Sequence, residues 1–195
     1  MEKIGLFFGS FNPVHKGHIN IAKYVLSEQK LNKVLFILSP LNPFKIESKN
    51  ILLEVNHRYE ILKLATKKYK NMIPSDIEFG MKKPNYTFDT IAKLENIYPK
   101  KKFYLIMGSD NFKYFNKWKD YEKILTKYKL LIYPRYGEEK NSFLIKKYNS
   151  VTFLKGSFFD ISSDKIRRKI KSGDSLEKYI SKDTITYIKN NNLYI

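Results

Sequence analysis

The segment Lys3-Ile4-Gly5-Leu6-Phe7-Phe8 runs into Gly9-Ser10-Phe11-Asn12-Pro13-Val14-His15-Lys16-Gly17-His18 and then into Ile19 to Leu26. Its first part is a short apolar run without alternation, the pattern of a strand covered on both faces. Its last part sets Ile19, Ala22, Val25 and Leu26 at helical spacing. The loop between them holds two of the chain's three histidines. A strand that ends in a polar loop and passes at once into a helix is the unit from which α/β folds are built.

The same alternation continues along the chain. Further strand-like runs occur at Lys33–Leu38, Phe103–Met107, Leu130–Tyr133 and Val151–Leu154. Helical spacing links Tyr59, Leu62, Ala65 and Thr66, and again Ile91, Leu94 and Ile97. Met72–Ile77 supplies one more run, which Pro74 demotes toward an edge strand or a loop. From Ile161 the pattern is helical, with a break at Gly173 and a final helix near Thr184–Asn190. The expected fold is α/β and doubly wound: a Rossmann-like, mostly parallel sheet of five to six strands with helices on both faces and a helical C-terminal segment. With 195 residues and no linker or repeat, the whole span 1–195 reads as one domain. Ligands of such folds bind where strands end and helices begin, so the loops after the strands are where chemistry is sought.

Composition narrows the class. The apolar run up to Phe8 is far shorter than the ~18 residues that span a bilayer, and it has no cleavage pattern, so a cytoplasmic chain with no membrane partner is expected. No cysteine is present, which excludes disulfides and thiolate metal sites. The formal charge of +18 invites a nucleic-acid reading, yet only four of the 37 basic residues are arginine and the lysines are spread among Asn, Ile and Tyr. Solvated helix faces explain that pattern better than a binding patch. No nucleic-acid partner is expected, although attraction for anions remains.

The loop Gly9–His18 has the parts of a phosphate cradle. Gly9 admits close backbone approach, Pro13 stiffens the turn, and the following helix start offers free N–H groups and a partial positive charge. His15 and His18, three apart, can share one face there. A zinc pair and a structural capping turn are the competing readings; zinc lacks further ligands, since only His57 remains and the spacing is not that of a zincin. Ile161-Ser162-Ser163-Asp164-Lys165-Ile166-Arg167 makes a second cradle, in which the serines can cap a helix and Arg167 lies one turn inside it.

Gly9 to His18 resembles the first signature of the nucleotidyltransferase superfamily, Gly-Ser-Phe-Asp/Asn-Pro-x-His/Thr-x-Gly-His, in the variant of the nicotinate-nucleotide adenylyltransferases. Ile161 to Arg167 is similar to the second, Ile-Ser-Ser-Thr-x-Ile-Arg, with Asp164 in place of Thr. The resemblance implies ATP held by Gly9, Ser10, Phe11, His15, His18, Ile161, Ser162, Ser163 and Arg167. It also implies His15, His18, Lys45 and Arg167 as the groups that supply positive charge to the reaction. Lys45 closes Pro40–Lys45, a loop similar to the family's proline-rich segment, although Phe44 stands where His is common. Nicotinate mononucleotide is expected on Asn12, Lys45, Tyr86, Thr87, Asp110, Trp118 and Arg135. In that picture Trp118 stacks on the pyridine ring and the segment Asn85–Thr90 receives the carboxylate. Arg58 is expected in a structural role.

The implied activity transfers AMP from ATP to nicotinate mononucleotide, with Mg²⁺ carried on ATP and no dedicated metal site on the protein. The partners are then the two nucleotides; self-association is neither required nor excluded. Two rivals remain. A phosphopantetheine adenylyltransferase resembles the same signatures but usually carries Thr at the place of His15. A basic RNA-binding protein would leave the two cradles without a use.

Overall fold

The computed structural model describes residues 1–43, 52–135, 148–155 and 161–195. Six strands, β1 (Lys3–Gly9), β2 (Lys33–Leu38), β3 (Met72–Ser75), β4 (Lys102–Gly108), β5 (Lys129–Tyr133) and β6 (Val151–Phe153), form one sheet in the order β3-β2-β1-β4-β5-β6. Every neighbouring pair is parallel. Met72–Ser75 is therefore a strand, and its place at the sheet edge is the one a proline tolerates, since Pro74 has no N–H to give a further neighbour.

The helices are α1 (Lys16–Glu28), α2 (Val55–Thr66), α3 (Thr87–Ile97), α4 (Ser109–Phe112), α5 (Tyr121–Lys127), α6 (Ser163–Lys171) and α7 (Lys182–Asn190). Strand residues feed the two faces alternately: Val34, Phe36 and Leu38 pack with α1, α2, α6 and α7, whereas Leu35 and Ile37 pack with α3, α4 and α5. Gly173 follows α6 with φ +72°, a left-handed turn that ends the helix. Ile97 departs from expectation, being 52% exposed. A spacing of three drifts ~60° per step around a helix of 3.6 residues per turn, so Ile97 has rotated off the face that buries Ile91 and Leu94. Among the described residues, no helix is long and apolar enough to cross a membrane.

The strand order reverses between β1 and β4. The crevice opens there, at their carboxyl ends.

Candidate active site

The loop from β1 to α1 is built around its two histidines. His15 is the N-cap of α1, and its main-chain N–H donates to Nδ1 of His18 at 3.2 Å. A neutral His18 therefore carries its proton on Nε2, where it is a donor. The two rings lie 3.7 Å apart, and the edge of Phe11 abuts His18 at 5.1 Å. A Cβ on Gly17 would stand 2.9 Å from Nδ1 of His15, so only glycine leaves this ring its place. His15 is 4% exposed. Burial, with the Arg135 guanidinium adding to it, holds its pKa down to about 3. Burial thus favours the neutral ring of His15, against the positive charge that the resemblance implied, and its Nδ1 has no hydrogen-bond partner among the described residues.

The C-terminal signature folds onto this loop. Ser162 caps α6 by accepting the Lys165 N–H at 3.2 Å. Ser163, instead of capping, donates to the Pro13 carbonyl at 2.9 Å. Arg167 donates from Nη1 to the Asn12 carbonyl at 2.7 Å and pairs through Nη2 with Asp164, the residue that replaces the usual Thr. Ile161 is buried beside them in the core. The two cradles are one structure, joined across 155 residues of chain.

Beside them a cavity of about 360 Å³ occupies the crevice, lined by Gly9 at the end of β1, Ser10 just past it and Gly108 at the end of β4. Tyr86 and Thr87, at the start of α3, form one wall and Trp118 the other. The Tyr86 side chain makes no capping hydrogen bond to α3. Trp118 is half-buried, its indole packed on Phe115 with ring centres 5.1 Å apart, so it both lines the crevice and closes the core beneath it. Lys119 couples the walls: its Nζ lies 2.8 Å from Asp89 on α3 and over the Tyr86 ring. Asp110 lies at the start of α4, with Oδ2 3.3 Å from Nε of Arg135. Arg135 is further held by its main-chain N–H, which donates to Ser109 Oγ at 2.8 Å.

Among the expected mononucleotide contacts, Tyr86, Thr87 and Trp118 line the crevice, whereas Asp110 and Arg135, paired with each other, are not among its lining residues. Asn12 is instead 4% exposed and accepts the Leu53 N–H through Oδ1 at 3.3 Å, which makes it part of the loop's scaffold rather than of its surface. Lys45 lies outside the described residues. Arg58 takes the structural role expected of it, and two further contributions, those of Ser109 and Lys119, escape sequence reading. Arg58, 2% exposed, donates to the carbonyls of Leu53, Ser10, Ser39 and Pro40 and so knits the loops after β1 and β2 into one rim. Ser109 anchors Arg135, and Lys119 ties the walls; neither stands in a pattern that marks it. Among the described residues, no group of three His, Asp or Glu side chains could hold a metal ion.

Residues 6–169 match the cytidylyltransferase-like family, the class of protein that this sheet order and paired cradle define. The chain is 37% identical over 192 residues to a Flavobacterium johnsoniae protein named "probable nicotinate-nucleotide adenylyltransferase", with 98% of each chain covered. A protein of the same name from Bacteroides thetaiotaomicron is 36% identical over 96% of this chain and 91% of its own. The structure of Plasmodium falciparum nicotinic acid mononucleotide adenylyltransferase complexed with NaAD superposes with a TM-score of 0.83 at 20% identity, covering 100% of this chain and 98% of that one. The chain belongs to the nicotinate-nucleotide adenylyltransferase family.

Proposed function

We propose that the chain transfers the adenylyl group of ATP to nicotinate mononucleotide, forming nicotinate adenine dinucleotide and releasing pyrophosphate. The observation that carries this reading is the joining of the cradles, with Arg167 and Ser163 bound to the backbone of the histidine loop beside a crevice walled by Trp118 and the start of α3. An oxygen of the mononucleotide phosphate attacks the α-phosphorus of ATP; the bond to the bridging oxygen breaks, and its electron pair leaves with pyrophosphate. The nucleophile is already anionic, so no general base is needed, and the protein's work is alignment and charge stabilisation. His18 donates from Nε2 and Arg167 from the guanidinium N–H groups left over from Asn12 and Asp164. Burial favours the neutral form of His15, and a polyphosphate beside it would raise its affinity for a proton. Lys45 is assigned to the substrate phosphate on the family signature. Mg²⁺ carried on ATP would neutralise phosphate charge, with no dedicated protein site assigned to it.

Trp118 offers the pyridine a stacking surface, Asp110 lies toward the ribose, and Tyr86 and Thr87 meet the carboxylate. The cysteine-free composition and the dependence on ATP suit a cytoplasmic setting. Pyrophosphate release from ATP and Mg²⁺ is to be followed with nicotinate mononucleotide, nicotinamide mononucleotide and phosphopantetheine in turn. Release is expected with nicotinate mononucleotide first of all. Turnover with phosphopantetheine alone, or with none of the three, would overturn the reading.

A further inference from the structure

A carboxyl that the proposed reaction does not use lies behind the Tyr86–Thr87 wall. Glu78, between β3 and α3, is 1% exposed. Its Oε1 lies 2.7 Å from the Thr90 hydroxyl, and its main-chain carbonyl accepts from Asn85 Nδ2 at 3.3 Å. The Ser39 hydroxyl, just past the end of β2, also bonds its carboxyl. Asn85 is tied a second time, its N–H donating to the Leu41 carbonyl at 3.1 Å. The residues on both sides of Tyr86 and Thr87 are thus anchored on one side chain and its own backbone, while Ser39, Asn85, Tyr86 and Thr87 themselves line the crevice.

The protons in this cluster can be followed. The Thr90 hydroxyl has a single proton, and the Tyr86 carbonyl, 3.2 Å away, can only accept. The shorter contact is the one to Glu78 Oε1, to which the hydroxyl donates; it can serve the Tyr86 carbonyl as well only when Glu78 carries a proton and donates in turn. Burial pushes the Glu78 carboxyl up and outweighs the Thr90 and Ser39 hydroxyls, which favour the carboxylate. Oε2 has no partner among the described residues, which makes an ionised carboxylate costly here. A protonated Glu78 also leaves no negative charge behind a helix start that is to receive an anion.

We propose that Glu78 is the positioning residue for mononucleotide recognition: by holding Asn85 and Thr90 it fixes the first turn of α3, so that the amides of this turn meet the substituent on the pyridine ring. The inference rests on the adenylyltransferase reading and extends it to a residue that touches neither substrate.

Steady-state kinetics on the full chain tests it, with ATP and each pyridine mononucleotide varied in turn for wild type, Glu78→Ala, Glu78→Gln and Thr90→Val. Loss of one buried hydrogen bond is expected to raise KM for nicotinate mononucleotide ~10-fold or more in Glu78→Ala, with KM for ATP held within ~2-fold. The preference for the nicotinate over the nicotinamide substrate should shrink with it. Glu78→Gln, neutral and of the same shape, should restore KM to within ~3-fold of wild type, because its amide keeps a donor and an acceptor at the same place. Thr90→Val breaks the same tie from the other side and should move the same KM, which decides the matter even where Glu78→Ala fails to fold. A Glu78→Ala or Thr90→Val chain that melts earlier but keeps both KM values and the substrate preference would overturn the proposal, as would Glu78→Gln losing as much as Glu78→Ala. A wild-type chain inert with both mononucleotides would instead bring down the adenylyltransferase reading itself.

Discussion

Arg167 Nη1 donates to the carbonyl of Asn12 at 2.7 Å, so the guanidinium of the last signature is fixed to the backbone of the first. The fork geometry lets one side chain hold that carbonyl, pair with Asp164 and still present N–H groups to a phosphate. A lysine has one centre of charge and cannot do all three. Arg167→Lys is expected to lower kcat/KM by about 10²-fold with the fold retained, in line with removal of one preorganised donor. A value within threefold of wild type would show that the fork has no role in turnover.

His18, proposed as a donor toward the phosphate, is also the acceptor for the His15 N–H. His18→Ala should lower kcat at least ~10²-fold. It should also destabilise the chain by about 0.5–2 kcal/mol, the usual cost of losing a partner at a helix N-terminus. Urea unfolding measured alongside kinetics separates the two effects. Retention of more than half the wild-type kcat would reject the assigned role.

Trp118 faces two ways, so its replacement has two readouts. Trp118→Ala should raise KM for the mononucleotide far more than for ATP, since stacking is worth about 0.5–1.5 kcal/mol beyond area burial. It should also lower Tm, because the indole covers Phe115. A lower Tm with unchanged KM values would leave Trp118 as core alone.

Acid sensitivity follows from His15. Its pKa, ordinarily 6.5, is lowered in the folded chain to about 3 by burial and by Arg135, so between those values the unfolded chain takes up a proton that the folded chain refuses. Stability therefore falls as pH drops through this window, by up to about 1.4 kcal/mol per pH unit from this group. Denaturant midpoints at several pH values should show a flatter dependence for His15→Asn. Identical slopes for the two proteins would mean that His15 is not held neutral.

The substrate pair tests the α3 wall. Nicotinate mononucleotide is expected to be preferred over nicotinamide mononucleotide by ~10-fold or more in kcat/KM, because the free amides at a helix start favour an anion by up to ~2 kcal/mol when partly buried. The neutral amide also brings an NH₂ against N–H donors. Equal values at fixed ATP, or a preference for the amide, would remove Tyr86 and Thr87 from carboxylate recognition.

Much of the fold was legible because its signals are local. The apolar runs predicted five strands within a residue or two of their ends, the doubtful run at Met72 became the edge strand that its proline allows, and Gly173 ended a helix as its position suggested. The helix through Ile91, Leu94 and Ile97 formed as its spacing suggested, but Ile97 is exposed because two steps of three carry it around the helix and off the buried face. The two cradles were legible as motifs, since residue types and spacing carry them.

By itself the sequence determined the alternation of strands and helices, the two phosphate loops and the family, because periodicity and motif are properties of neighbours along the chain. Tertiary structure alone decided what those loops do to each other. Ser163 reaches Pro13 across 150 residues, Arg58 binds four carbonyls from three separate segments, and Asn12 turns into the scaffold. The lowered proton affinity of His15 arises in the same way. Desolvation is imposed by groups that arrive from distant parts of the chain, and no local pattern records which of them will come close enough to exclude water.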